Sequence, residues 1–153
     1  MIVFRLAKLK YSSDLSGRGA EKSGGRWNSK GTAMAYTGIS RALCTTEIAV
    51  HTPLGNVPHD YVLVTIEWPD SVRFLKLDPN KLPKDWRSFP HPNSTQLLGD
   101  GFISENKSLI MRVPSVVVQG EYNFLINPFH KEFSKIKVVK TEPFVFDERL
   151  FIR

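Results

Sequence analysis

The chain has 153 residues, 41% hydrophobic and 24% charged, with 21 Lys and Arg against 15 Asp and Glu for a formal net charge of +6. That length holds about one domain with a core of its own, and a single cysteine, Cys44, excludes an intramolecular disulfide. No apolar run approaches the roughly 20 residues that span a bilayer, and the opening MIVFRLAKLKYSS lacks the order of charge, apolar block and cleavage site of a signal peptide; the expectation is one cytoplasmic domain over 1–153 with no membrane association.

In chain order, β-branched and aromatic content predicts a first strand at Ile2–Leu6. The stretch Ser23–Gly31, SGGRWNSKG, then sets a cation and the largest aromatic residue among small, flexible ones. Glycines let a ligand approach the backbone, and the Arg26 guanidinium offers a rigid fork that matches phosphate oxygens in pairs. Gly19 and Gly24 have the spacing of a P-loop, but Gly25-Arg26 stands where Lys-Ser or Lys-Thr is required. No strand leads into a G-x-G-x-x-G turn and helix either, which excludes the dinucleotide fingerprint. Trp27 reads first as a residue packed beneath the loop.

A short strand is predicted at Ala33–Thr37, carrying Tyr36, and a helix with Ser40 as N-cap is predicted to run to about His51. In this helix Leu43, Glu47 and Val50 fall at i, i+4 and i+7, so Glu47 lies within an apolar stripe. A carboxylate there is paired, hydrogen-bonded or functional, or else it snorkels to solvent from the helix edge. Cys44 reads as a small buried residue, and His51, four residues after Glu47, shares its helical face.

Further strands are predicted at Tyr61–Trp68, Val72–Leu77, Leu109–Val113, Val116–Val118, Phe124–Ile126 and Ile136–Val139. The segment Asp78–Pro92 contains four prolines and is expected to be an ordered surface loop, followed by a helix from near Ser94 to about Ser104. Many strands and few helices, not in regular alternation, predict an α+β fold. Ser115 serves either a turn or a ligand, and no G-x-S-x-G elbow makes it a nucleophile. Asn123 and Asn127, bracketing NFLIN, read as turn residues or pocket residues. The four histidines show no metal-ligand spacing, so no metal site is expected.

Arg26, Tyr36 and Glu47 together suit the cleavage of an N-glycosidic bond to nicotinamide. Arginine can hold the pyrophosphate or ribose, an aromatic ring can stack on nicotinamide, and a carboxylate can stabilise an oxocarbenium-like transition state. Nicotinamide leaves a cationic precursor as a neutral molecule. It therefore requires no general acid, and one carboxylate can suffice.

The blocks GGRWNSKGTAMAYTGISRALCTTEIAVH, TQLLGDGFI, SLIMRVPSVVV and EYNFLINPFH, in that order, resemble the RES domain, the toxin half of bacterial Xre-RES toxin–antitoxin pairs. The likeness runs from FRL near the start to PFVFDERL near the end. It implies an ADP-ribosyltransferase-like fold with a mixed β-sheet, NAD as substrate rather than cofactor, Arg26, Glu47 and Ser115 as catalytic residues, and Arg26, Tyr36 and Ser115 around the substrate, to which the reading of NFLIN adds Asn127. The implied function is a type II toxin that degrades NAD by hydrolysis or phosphorolysis and arrests growth. The alternative is mono-ADP-ribosylation of a host protein. The implied partner is an Xre-family helix-turn-helix antitoxin that blocks the NAD pocket; DNA contact is expected only through it, and a homodimer within the complex is compatible with the resemblance.

A basic nucleic-acid-binding module is a more remote alternative. The sequence pI of about 9.6 motivates it. The cations are dispersed, however, and the densest stretch, HKEFSKIKVVKTE, alternates as a strand with one solvated face would.

Overall fold

Residues 1–152, which the computed structural model describes, form seven strands and three α-helices: β1 (Ile2–Lys8), α1 (Arg18–Ser23), β2 (Ala35–Gly38), α2 (Arg41–His51), β3 (Tyr61–Glu67), β4 (Leu75–Lys76), α3 (Asn93–Glu105), β5 (Ile110–Pro114), β6 (Tyr122–Ile126) and β7 (Lys137–Phe144). The strands make one sheet in the order β4-β5-β6-β2-β1-β3-β7. Every neighbouring pair is antiparallel except β4 and β5, so the sheet is mixed and the fold is α+β with few helices.

Both faces of the sheet are covered, and side-chain alternation assigns residues to each. Val62, Val64 and Ile66 of β3 join Val3, Ile110, Phe124 and Ile126 in one core, where Trp68 meets Phe124 at 5.8 Å between ring centroids. On the opposite face Leu6 and Leu63 pack with Cys44 of α2, and Met111 and Leu125 pack with Phe102 of α3. The pairings Met111↔Leu125, Tyr36↔Leu125 and Phe4↔Gly38 carry this second face across the sheet, so Tyr36 and Asn123 lie on the same side as both longer helices. The site is built on that side.

Several elements differ from their predicted form. Val116–Val118 is not a strand: the Ser115 hydroxyl takes the N–H groups of Val117 and Val118, and the chain bends around it. Val72–Leu77 shrinks to Leu75–Lys76, because Val72 closes a turn on the Pro69 carbonyl and is buried in the core without ladder pairing. The strand predicted at Ile136–Val139 runs as Lys137–Phe144, passing through Pro143, which an edge strand tolerates. Helix α1 was not expected at all; it is short and follows Gly17, whose φ of 73° is left-handed. Among the described residues no helix is long and apolar enough to cross a membrane.

Candidate active site

Helix α2 is anchored at its N-terminus as the sequence predicts. Ser40 Oγ accepts from the Leu43 N–H at 3.0 Å and donates to Glu121 Oε2 at 2.7 Å, which ties the first turn to the β5–β6 connection. Leu43 and Cys44 are buried beneath the helix, and Glu47, one turn on, reaches a cleft with 27% of its side chain exposed. Glu47 Oε1 accepts from Asn123 Nδ2 at 2.9 Å and faces Ser115 Oγ at 3.4 Å. Glu47 Oε2 lies 3.8 Å from His51 Nε2. The carboxylate is thus fixed through one oxygen, with the other turned toward the cleft and His51.

Ser115 closes a turn and at the same time faces Glu47. Its Oγ accepts from Val117 N at 3.1 Å and Val118 N at 3.0 Å, which leaves the hydroxyl proton for Glu47. It is 3% exposed and stands behind Glu47 rather than on the cleft surface. Asn123 lines the cleft, whereas Asn127 does not. The expected pocket position of Asn127 is therefore corrected: this fully buried residue donates to Asn106 Oδ1 and accepts from Phe129 N, each at 2.9 Å, as a turn anchor.

The glycine loop forms a neighbouring wall, and its keystone is Asn28. Its buried amide donates to the carbonyls of Ala20, Ser29 and Thr32, while its Oδ1 accepts from the Tyr36 hydroxyl at 2.7 Å. Tyr36 also accepts from Trp27 N at 3.1 Å, so its hydroxyl is committed to the loop and the ring is what remains for the cleft. Burial pushes the Tyr36 phenol well above its ordinary pKa. A Cβ at Gly25 would meet the Tyr36 hydroxyl at 2.9 Å, which explains glycine there.

Helix α3 holds the loop from outside. Gln96 donates to Gly25 O at 3.0 Å, and Asp100 Oδ1 accepts from Ser29 N at 2.9 Å. Between them Gly99 admits the Trp27 carbonyl; a Cβ would come within 1.6 Å of that oxygen. Trp27 itself packs beneath the loop at 2% exposure.

Arg26 lies in the cleft wall, where its Nη1 donates to Trp86 O at 2.6 Å and Ser88 O at 2.9 Å. Burial lowers its pKa from the ordinary arginine value, and the charge of Glu47 opposes that shift. Arg26 therefore fixes the proline-rich segment as well as facing the cleft. That segment supplies Arg87, Phe89 and His91, for which no spacing in the sequence gave a signal; their role follows from the fold.

The cleft encloses about 670 Å³ between the glycine loop, α2, β6 and the segment after Trp86. Arg26 and Arg87 line the cleft together with Glu47, its single carboxylate, a charge balance suited to an anionic guest bearing one centre that becomes positive during reaction. Among the described residues no group of three or more His, Cys, Asp or Glu is disposed to hold a metal ion.

Residues 2–147 match the family model described as RES domain. A protein named Toxin Res from Yersinia enterocolitica serotype O:8 / biotype 1B is 38% identical over 152 residues, covering 98% of this chain and 99% of its own. Prs ADP-ribosylating toxin of Sphingobium sp. (strain YBL2) is 37% identical over 146 residues, 94% of this chain and 91% of its own. A chain in the crystal structure of the M.tuberculosis MbcT-MbcA toxin-antitoxin complex shares the fold, with a TM-score of 0.74 at 20% identity, over 98% of this chain and 86% of that one.

Proposed function

Because the chain belongs to the RES domain family, we propose that it is the toxin of a type II toxin–antitoxin pair and that its cleft consumes NAD by breaking the nicotinamide–ribose bond. On this reading the mixed sheet is an ADP-ribosyltransferase-like scaffold. The observation that carries the proposal is the carboxylate of Glu47, gripped at Oε1 by Asn123 and Ser115 and presented to the cleft beside the phosphate-matching Arg26.

In the step proposed, the C1′–N bond breaks and its electron pair leaves with nicotinamide, which becomes neutral. The ribose is left as an oxocarbenium ion, and Glu47 stabilises its charge and hydrogen-bonds a ribose hydroxyl. Water or phosphate then adds at C1′, and water gives up a proton to solvent. Arg26 holds a phosphate or ribose oxygen with the guanidinium nitrogens that Trp86 and Ser88 do not engage. The ring of Tyr36 stacks on nicotinamide while its hydroxyl braces the loop. Ser115 acts through Glu47 by holding its Oε1, so it is a positioning residue.

The second reading, transfer of ADP-ribose to a protein side chain, shares the bond-breaking step and differs in the acceptor. The name of the Sphingobium relative favours it. The proposed partner is an Xre-family antitoxin that covers the cleft, a reading supported by the likeness of fold to a chain solved in a toxin–antitoxin complex.

The deciding experiment measures nicotinamide release from NAD by purified protein, with and without inorganic phosphate, beside Glu47→Gln. Release that depends on Glu47 is expected, with ADP-ribose 1″-phosphate appearing only if phosphate is the acceptor. Release confined to mixtures containing a protein acceptor would select the transferase. No release under any of these conditions would sink the proposal.

A further inference from the structure

The stretch Trp86–His91 makes one wall of the cleft, and its backbone is fixed. Arg26 donates to Trp86 O and Ser88 O at 2.6 and 2.9 Å, and Ser88 N closes a turn on Asp85 O at 2.8 Å. Asp85 is tied in turn to α3 through the Ser94 hydroxyl at 2.7 Å, and the Trp86 side chain is buried in the core beneath that helix. On this rigid support Phe89 lines the cleft with 78% of its surface exposed. Such exposure of a large apolar ring in a cleft marks a surface for a guest.

The Phe89 ring is also oriented. It stands edge-on to His91, with centroids 5.6 Å apart and planes at 85°; His91 stands edge-on to His51 at 6.3 Å and 76°. His51 Nε2 then lies 3.8 Å from Glu47 Oε2. A perpendicular contact covers at most one face of Phe89 and leaves the other for a flat partner. Two side chains in series, His91 and His51, separate Phe89 from the carboxylate, which suits a ligand with two separated ring systems rather than one. Arg87 lines the same wall, its guanidinium 4.8 Å over the Trp86 ring, and adds positive charge beside Phe89.

With Glu47 at the nicotinamide ribose, a placement that rests on the NAD reading above, we infer that Phe89 is the stacking platform for the purine base at the opposite end of the dinucleotide, with Arg87 serving the pyrophosphate. The wall then selects dinucleotides over mononucleotides, because only a dinucleotide reaches Phe89 and Glu47 together.

The test uses the full chain and two readouts: the Kd of ADP by calorimetry and the KM for NAD. Phe89→Ala is expected to weaken ADP binding and raise the KM about tenfold while affecting kcat far less, and Phe89→Trp to restore both. The exposure of Phe89 makes misfolding of these variants a minor concern, and circular dichroism checks it. ADP bound equally well by wild type and Phe89→Ala, or not bound by wild type, would overturn the platform. ADP binding weakened by Phe89→Ala in a protein that releases no nicotinamide would support the platform and sink the NAD-cleavage reading alone.

Discussion

Glu47 is held at Oε1 by Asn123 and Ser115, and its charge and its positioning can be removed separately. Glu47→Gln keeps the shape that Asn123 and Ser115 hold but removes the negative charge, so nicotinamide release should fall by a factor on the order of 10²–10³ with little change in thermal unfolding. Ser115→Ala should behave differently. It removes the acceptor for two partly buried N–H groups as well as the contact to Glu47, so a stability loss of about 1–2 kcal/mol in urea unfolding should accompany reduced activity. An active, equally stable Ser115→Ala would show that Ser115 neither closes the turn nor positions Glu47. Cys44 gives a third residue-scale prediction. Burial pushes its thiol up to about 12, so it is un-ionised near neutrality and should react with iodoacetamide only slowly until the chain is unfolded in denaturant.

At the scale of elements, the contact between α3 and the glycine loop is the one least tolerant of change. Gly99→Ala would drive a methyl group into the Trp27 carbonyl, a backbone atom without freedom to swing aside, and should cost about 3 kcal/mol or more in urea unfolding. A variant as stable as wild type would mean that helix and loop are less tightly joined than described. The helix was legible in the sequence because Ser94 follows the prolines that end the preceding loop, but this use of Gly99 was not, since close approach is a relation between distant segments. Glu47 was legible as an anomaly within an apolar stripe, and Arg26 as a cation among glycines. Asn127 was misplaced because sequence shows that an asparagine ends a strand without showing which way it faces; its neighbour Asn123 faces the cleft. The valines after Ser115 read as a strand by composition, and a single hydroxyl drew their backbone into a turn instead.

Across the whole molecule, pH acts on the cleft through His91. Burial, and then the charges of Arg26 and His51, lower its pKa from 6.5 in the folded chain. Above 6.5 both folded and unfolded forms are neutral at this position and its contribution to stability is fully present. As the pH falls below that value the unfolded chain binds the proton first, and stability is lost until the folded imidazole is protonated as well. The urea midpoint should therefore drop as the pH falls through 6.5, and His91→Gln should flatten that part of the profile. An identical profile in the variant would assign the effect to other groups.

The sheet order also sets when, during synthesis, the cleft can be assembled. Arg26, Tyr36 and Glu47 leave the ribosome early, but Ser115 and Asn123 arrive on the hairpin β5–β6, whose strand β6 inserts beside β2. A nascent chain that ends before this hairpin carries the charged groups with nothing to hold Glu47 in place. On the reading proposed above, assembly of the site is thereby tied to a long-range strand pairing, and a chain that ends before this hairpin is expected to release no nicotinamide from NAD.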